Sequence, residues 1–320
     1  MGIATVESLN AEGRGVAHVE GKAIFIEGAL PFEVVEYETI RRKPNYEVGR
    51  TTQVLRSSPS RITPQCPHFG VCGGCAMQHA DAALQIAAKQ RALENALWHV
   101  GRVRPETVLR PIEGPSWGYR HRARLTSRFV AKKGVVLVGF HERKSTFVAD
   151  MTSCEVLPAP LSALLVPLRR LVESLSCPDR IPQIEVSVGA DVTVLVFRTL
   201  VPLVEADHRL LRAFSDLHKI AVWLQPQGPE TAHPFHPMDG PALDYTLPEY
   251  GVRIGFLPTD FTQVNHAINA SLVRRAMGLL DPAPGELIYD LFCGLGNFSL
   301  PMARLGARVV GYEGSAGLVK

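Results

Sequence analysis

The chain has 320 residues, 46% of them hydrophobic and 20% charged, which fits a globular protein of two or three domains. No apolar run approaches the ~20 residues that a membrane helix needs, and the start of the chain lacks a signal-peptide core. We therefore expect no membrane span and a cytoplasmic location. The net charge of +3 is uneven, because residues 1–150 carry +7 and residues 151–320 carry −4, so the first half is the expected contact for a polyanion.

Residues 1–57 are predicted to form a small antiparallel barrel. Five β-rich runs are separated by glycines that suit tight turns. The runs cover residues 4–9, 15–19, 22–26, 32–40 and 48–55. Five strands closed into a barrel of this size are typical of an OB-like RNA-binding module.

A set of cations lies at the end of this region, with Glu47 as the acidic residue among them. The set comprises Arg41, Arg42, Lys43, Arg50, Arg56 and Arg61. Such a pattern can neutralise a phosphate backbone, and we expect RNA contacts here. The alternative is a solvated rim that only keeps the protein soluble.

Residues 62–79 are predicted to be a loop, which we call the cysteine loop. A helix is expected over residues 81–100, with Asp81 as its cap and Gly101 just past its end. Its buried stripe is expected to comprise Leu84, Ala88, Leu93, Leu97 and Val100.

Residues 58–255 are expected to form an α+β central domain, and residues 256–320 the start of a third domain. In the central domain, hairpins are predicted from residues 119–130 and 135–140 and from residues 184–188 and 192–197. Helices are predicted at 161–175 and 203–217, a strand at 221–224, and a loop at 225–240. The last region shows a helix at 264–280 and one β-α-β unit, with a strand at 287–291, a helix at 298–305 and a strand at 308–312. The fold class is therefore multidomain α/β.

Three cysteines of the cysteine loop, Cys66, Cys72 and Cys75, follow a C-x5-C-G-G-C pattern. A cytosolic chain keeps its thiols reduced, and thiolates held close together by short loops bind iron–sulfur clusters or zinc. Zinc stays open as an alternative on spacing alone. His68 and His79 lie close to these cysteines in the sequence, and we interpret them as ordinary loop histidines, with a ligand role for either as the alternative.

A fourth ligand is expected elsewhere, because three thiolates leave one iron of a cubane open. Cys154 is the first candidate, and Cys177, next to Pro178 at a predicted helix end, is the second.

A glycine turn (residues 292–298) follows the predicted strand at 287–291. Gly294 and Gly296 allow a ligand to approach the backbone closely, and Glu313 follows the next strand, where a carboxylate can accept both hydroxyls of a ribose. A dinucleotide could use the same geometry. Two details favour S-adenosylmethionine: Ser299 replaces the third glycine of the dinucleotide pattern, and Asp290 precedes the turn, where an acid suits a cationic ligand.

Together these motifs resemble the bacterial 23S rRNA (uracil-5-)-methyltransferase family, in its TRAM-domain, [4Fe-4S]-containing branch. The matching motifs lie at residues 13–17, 22–26, 66–75, 117–124, 154–157, 261–265, 290–298 and 311–314. The resemblance implies that a [4Fe-4S] cluster is held by Cys66, Cys72, Cys75 and Cys154. It implies that S-adenosylmethionine is contacted by Gln263, Phe292, Asn297 and Glu313. It also implies that the partner is 23S ribosomal RNA, which faces a central-domain strand carrying Arg120, Arg122 and Arg124; we expect a monomer.

The chemistry that the resemblance implies needs a nucleophile that the motifs do not contain. Uracil C5 is too weak to take a methyl group unaided, so a cysteine thiolate adds at C6 and a base later removes the C5 proton. In the family both groups lie in the carboxy-terminal third, beyond Lys320, so a truncated chain that is inactive alone is expected. Cys293 is no substitute, because a small buried residue is expected inside the glycine turn.

Two other functions stay open. One is a non-catalytic, RNA-binding iron–sulfur fragment. The other is a methyltransferase of the same chemistry that acts on tRNA or on another rRNA uridine.

Overall fold

The computed structural model describes residues 1–319, and the chain divides into two compact units. The first unit comprises residues 1–111 and 142–145, and the second comprises residues 112–141 and the chain from Thr146 onward. Lys320, at the expected end of the third domain, lies outside the described residues. The division into domains at residues 57 and 255 stays a prediction.

The first unit is built on one six-stranded sheet. Its strands are β1 (Gly2–Thr5), β2 (Ser8–Leu9), β3 (Gly15–Val19), β4 (Lys22–Glu27), β5 (Val34–Arg42) and β6 (Tyr46–Arg56). They lie in the order β1-β5-β6-β4-β3-β2. The predicted strand at 4–9 is split, because Val6 donates to the carbonyl of Glu33 at one edge and Glu7 donates to that of Val16 at the other. The first segment thereby pairs with both edges of the sheet, which covers buried Ile26 and Val35. The prediction that all its strands are antiparallel was wrong, because β4 runs parallel to β6.

Arg61 does not lie among the cations that can face a phosphate backbone. Its guanidinium donates to Glu33 at 2.6 and 2.8 Å and to the carbonyl of Gly28 at 2.6 Å. Glu33 is fully buried and also accepts from the backbone N–H groups of Leu30 and Ser58. Burial acts to raise the pKa of Glu33, but the hydrogen bonds from Arg61, Leu30 and Ser58 outweigh it and lower the pKa. The sequence expectation for Arg61 was wrong, because the buried carboxylate requires its charge.

The predicted helix after the cysteine loop is confirmed. It is α1 (Ala82–Asn95), continued by a π-helical turn at Ala96–Val100, and Asp81 caps it by accepting from Leu84 N at 2.7 Å. The predicted buried stripe is wrong, because the helix buries none of its residues, and Leu93 and Val100 are 55% and 83% exposed. Alanine and larger apolar residues are spread around this helix, so it has no single face that burial would favour.

The second unit carries a second six-stranded sheet and two strand pairs. Its strands are β7 (Arg122–Val130), β8 (Val135–Gly139), β9 (Gln183–Val188), β10 (Thr193–Arg198), β11 (Ala221–Gln225), β12 (His233–His236), β13 (Leu243–Leu247), β14 (Val252–Phe256), β15 (Leu287–Leu291) and β16 (Arg308–Tyr312). Its helices are α2 (Ala159–Ser162), α3 (Leu165–Ser174), α4 (Glu205–His218), α5 (His266–Leu280), α6 (Ser299–Arg304) and α7 (Ala316–Val319). The sheet order is β12-β11-β10-β9-β7-β8.

Both predicted hairpins and the final β-α-β unit are confirmed, since β7 pairs with β8, β9 with β10, and β15 runs parallel to β16. The prediction of a loop over 225–240 was partly wrong, because β12 pairs there with β11. β12 is the edge strand of its sheet, where a residue without an N–H such as Pro234 is tolerated.

One apolar cluster positions the site of the second unit. It joins Val196 of β10, Tyr245 of β13, Ile254 of β14, Val273 of α5 and Met302 of α6. Because α5 and α6 share this core, the glycine turn that precedes α6 is anchored to the sheet. Among residues 1–319, no helix combines the length and the apolar character needed to cross a membrane.

Candidate active site

The glycine turn joins β15 to α6 in a left-handed conformation. Phe292, Gly294 and Gly296 have positive φ values of 63°, 56° and 86°. Glycine adopts this conformation freely, whereas a residue with a side chain does so at a cost of roughly 1–2 kcal/mol. Phe292 is 89% exposed, so burial of its ring does not compensate for that cost. Strain kept at an exposed residue is a feature of binding sites.

Glu313 is tied to the backbone of the glycine turn. Its Oε2 accepts from Gly294 N at 2.9 Å, and its Oε1 accepts from Ser315 N at 2.9 Å. These backbone hydrogen bonds, first that of Ser315 and then that of Gly294, lower the pKa of Glu313 and keep it ionised. A carboxylate offers about four acceptor positions, so each oxygen can still accept one hydroxyl. This is the arrangement that two ribose hydroxyls require.

The residues on either side of the turn are also held in place. Ser299 Oγ donates to Asp290 Oδ2 at 2.6 Å, which fixes the acid that was predicted to suit a cationic ligand. Cys293 is half-buried, and a Cβ at Gly311 of the neighbouring strand would lie 2.8 Å from its Sγ. Cys293 therefore packs against β16, as a small residue in that position should.

Asn297 is held by a buried polar pair that sequence analysis missed. It exchanges hydrogen bonds with Asn269 of α5, at 2.8 and 2.9 Å, and its Oδ1 also accepts from Tyr245 Oη at 3.1 Å. These contacts occupy both acceptor positions of Oδ1 and one of the two donors of Nδ2. The side chain is thus directed into the protein, with one N–H left over for a ligand. Asn269 is a polar residue on the buried face of a helix, which was the available signal.

Three stacked rings continue from this pair. His121 and His266 stack at 4.1 Å between ring centroids and 13° between planes, and Tyr245 lies 5.7 Å from His266. Burial, and then the charge of His121, lowers the pKa of His266 to about 4, while burial raises the pKa of Tyr245 to about 12. His266 and Tyr245 are therefore uncharged near neutral pH. No sequence motif indicated this stack.

The loop before α5 carries Gln263, which is exposed. Two contacts from the segment around the start of β7 hold this loop. His121 N donates to the carbonyl of Val264 at 2.8 Å, and Arg122 donates to the carbonyl of Asp260. Arg122 was predicted to face RNA, and the structure directs at least part of its guanidinium to the loop that presents Gln263.

The other cations that were predicted to face RNA differ in side-chain exposure and in their ion-pair or hydrogen-bond partners. Arg124 pairs with Glu185 at 2.9 Å but keeps 66% of its side chain exposed. The Nε of Arg120 is buried and has no hydrogen-bond partner in the described part of the chain. In the barrel, Arg41 and Lys43 are exposed at the end of β5 and in the following turn. Exposed Arg42 lies beside them and pairs with Glu47 at 2.9 Å.

The cysteine loop belongs to the first unit and gathers three thiols within electrostatic reach of one another. Burial raises the pKa of the Cys72 thiol, and charge on Cys75 and Cys66 would raise it further. Gly74 N donates to Cys72 Sγ at 3.4 Å, and Cys66 N donates to Gln78 Oε1 at 3.3 Å. Within residues 1–319, no three His, Cys, Asp or Glu side chains converge tightly enough to hold a single metal ion.

Cys154 belongs to the second unit. It is 5% exposed and its backbone N–H donates to Ser162 Oγ at 2.8 Å. It lines a cavity of about 490 Å³ together with Trp117 and Ser153. Cys177, the second candidate, is half-buried at the end of a loop, and burial raises the pKa of its thiol.

Comparison with known proteins identifies the family. A protein of Nitrosospira multiformis named 23S rRNA (uracil(1939)-C(5))-methyltransferase RlmD is 62% identical over 314 residues, covering 98% of this chain and 72% of its own length. The protein of the same name from Azoarcus sp. is 60% identical over 319 residues, covering 100% of this chain and 74% of its own length. The chain belongs to the RlmD family of 23S rRNA (uracil-C(5))-methyltransferases.

Two further matches agree with membership of the RlmD family. Residues 251–319 match the family model described as tRNA (Uracil-5-)-methyltransferase. The fold is similar to that of the Pyrococcus abyssi tRNA (uracil-54, C5)-methyltransferase, solved in complex with S-adenosyl-L-homocysteine. That match has a TM-score of 0.70 at 20% identity and covers 99% of this chain and 74% of the other. It confirms the expected class, multidomain α/β with a methyltransferase fold.

Proposed function

We propose that this chain takes part in the transfer of a methyl group from S-adenosylmethionine to C5 of a uridine in 23S ribosomal RNA. The observation that carries the proposal is 58–62% identity, over nearly the whole chain, to relatives that bear the name of this activity. The relatives at this level of identity are named for 23S rRNA, so we favour it over tRNA as the substrate.

The glycine turn and its surroundings would bind the methyl donor. We assign the ribose hydroxyls to Glu313, whose oxygens each keep an acceptor position, and the close backbone approach to Gly294 and Gly296. The exposed ring of Phe292 would cover the adenine or the sulfonium by stacking or cation–π contact. Asp290 adds negative charge near a cationic ligand, Gln263 reaches in from its exposed loop, and Asn297 contributes its remaining N–H.

The methyl transfer would proceed through a covalent adduct. A thiolate adds to C6 of uracil, C5 attacks the donor methyl, and S-adenosylhomocysteine leaves. A base then takes the C5 proton, and the C6–S bond breaks to release the thiolate and 5-methyluridine. Cys293 is a poor candidate for this thiolate because it packs against Gly311. The matches cover 72–74% of these relatives, and we propose that the nucleophile and the base belong to the share that this chain does not cover.

We also propose that Cys66, Cys72, Cys75 and Cys154 hold a [4Fe-4S] cluster. A zinc ion needs its sulfurs converging at about 2.3 Å from one point, whereas a cubane binds each thiolate to a different iron. Cys66 and Cys75 are close enough to Cys72 to act on its charge, and the three thiols in one short loop support a cluster, with Cys154 proposed as the fourth ligand. With a thiolate on every iron, the cluster would supply structure or RNA positioning and no chemistry of transfer.

RNA contacts are proposed for Arg41, Arg42 and Lys43 of the barrel and for Arg124 of β7, whose side chains are exposed. Arg120 and Arg122 belong to the same strand segment. The contact of Arg122 with the loop of Gln263 would make it a link between RNA binding and donor binding.

The proposal is tested by binding and transfer measurements on the anaerobically purified chain. We expect calorimetry to show that S-adenosylhomocysteine binds. We also expect the chain to bind a 23S rRNA fragment more tightly than tRNA at equal salt concentration. Labelled donor should give no 5-methyluridine by mass spectrometry with this chain alone. If a folded chain does not bind S-adenosylhomocysteine, the proposed donor site is contradicted. A preference for tRNA would contradict the proposed substrate. Transfer of the label by this chain alone would contradict the proposal that it lacks the nucleophile.

A further inference from the structure

His79 lies against the cysteine loop rather than on its outer surface. It is 3% exposed, and its ring centroid lies 5.4 Å from that of Phe69. Phe69 sits between two of the cysteines: its backbone N–H donates to the carbonyl of Cys66, and it forms a β-bridge with Cys72. The imidazole therefore packs directly on the residue around which the cysteine loop folds.

Among residues 1–319, neither ring nitrogen of His79 has a hydrogen-bond partner. Leaving a buried polar group unpaired costs about 1–3 kcal/mol, so an unpaired histidine at this depth calls for an explanation. Burial, and then the charges of Arg61 and Arg143, lowers the pKa of His79 to about 4, so the ring is neutral and carries one N–H donor.

A cation also contacts the ring of Phe69. Arg143 stacks over the Phe69 ring at 5.8 Å and donates its backbone N–H to the carbonyl of Val71. Glu142, its neighbour, forms a β-bridge with Cys72. A fixed cation thus lies beside the loop that carries the three thiols.

We infer that His79 is a positioning residue that donates its ring N–H to a sulfur of the iron–sulfur cluster held by this loop, and so raises the cluster's reduction potential. The inference rests on the proposed cluster. A four-thiolate cluster carries net negative charge that grows on reduction, and hydrogen bonds to its sulfurs stabilise the reduced form. Second-layer partners of this kind also retain the metal group, and their loss typically costs about 10- to 100-fold in affinity.

The test compares His79→Phe, His79→Gln and the control His99→Phe, an exposed histidine of the same unit, with the unchanged chain. Phe keeps the ring against Phe69 but has no donor, whereas Gln keeps an N–H. Reduction potential, iron and sulfide content and the rate of cluster loss in air are measured. We expect His79→Phe to lower the potential and to lose its cluster at least about 10-fold faster. His79→Gln should restore part of both effects, and His99→Phe should match the unchanged chain.

A direct measurement on the unchanged chain guards against a variant that does not fold. With ¹⁵N-labelled histidine, pulsed EPR of the reduced cluster should show a ¹⁵N coupling that His79→Gln removes. The inference would be overturned if His79→Phe held a four-iron cluster with the same reduction potential and loss rate as the unchanged chain, and the unchanged chain showed no ¹⁵N coupling. That result would leave the proposed cluster intact. An unchanged chain that holds no iron and sulfide when purified without oxygen would instead overturn the proposed cluster.

Discussion

The glycine turn of the second unit and the cysteine loop of the first unit differ in how well their polar side chains are hydrogen-bonded. In the turn, Glu313 and Asn297 already have protein partners, so the shape of the site exists before a ligand arrives. In the cysteine loop, His79 has no hydrogen-bond partner among residues 1–319, and burial raises the pKa of the Cys72 thiol. A pre-formed site suits a substrate that binds and leaves, whereas unmet polar groups suit a group that stays.

The largest effect should come from the cysteines, because they are the ligands of the proposed iron–sulfur cluster. Cys154→Ala should abolish the broad visible absorbance of the cluster, together with its iron and sulfide, in anaerobically purified protein. Cys177→Ala, which removes a half-buried thiol of the same unit, is the matched control and should keep them. The reverse pattern would show that Cys177 is the fourth ligand. A colourless protein loaded with zinc would contradict the proposed iron–sulfur cluster.

Removing the charge of Glu313 should weaken donor binding without dismantling the turn. Hydrogen bonds to a charged group are stronger than those to a neutral one, so Glu313→Gln should reduce the affinity for S-adenosylhomocysteine about 10- to 100-fold. Glu286→Gln is the control, because Glu286 also accepts a backbone N–H, that of Ala283, in the same unit. Calorimetry with equal losses in both variants would show a general effect of lost charge rather than a ribose contact.

A substitution in α5 tests whether the glycine turn depends on the hydrogen bonds between Asn269 and Asn297. Asn269→Leu leaves the Asn297 amide with unpaired groups, so the free energy of unfolding should fall by about 1–3 kcal/mol, and S-adenosylhomocysteine affinity should fall with it. Tyr245→Phe leaves the Asn269 bonds intact and should cost about 1 kcal/mol. Urea unfolding and calorimetry measure the two effects. Unchanged ligand affinity in Asn269→Leu would mean that the pair supports the fold alone.

The smallest effect concerns pH and the stacked rings. The pKa of His266 is about 4 in the folded protein against an ordinary value of 6.5, so the unfolded state binds more protons between these values. Its contribution to stability is therefore present above pH 6.5 and is lost as the pH falls towards 4, with a loss on the order of 1 kcal/mol because the ring is only part-buried. His266→Phe should flatten this part of the Tm-against-pH curve, and His99→Phe should not. Parallel curves for the unchanged chain and His266→Phe would contradict the shift.

Prediction from sequence worked best where a few neighbouring residues decide the conformation. Asp81 caps α1 as expected, the strands at 287–291 and 308–312 match β15 and β16, and Gly294 has the positive φ that a glycine in this turn should have. It failed where a partner distant in sequence decides. Arg61 was expected at the surface and lies on buried Glu33, and the stretch expected to be a loop after β11 contributes the edge strand β12.

The spacing of cysteines, glycines and acids in the chain indicated two candidate sites and the class of ligand proposed for each. Turns, caps and strand alternation depend on φ, ψ and hydrogen bonds within a few residues, and these leave a pattern in the order of residues. Which polar groups meet was decided only by tertiary structure. Asn269 and Asn297 are 28 residues apart, and His79 is isolated from polar partners by the packing of Phe69 and its neighbours. Such contacts depend on how whole elements pack, and no local spacing encodes them.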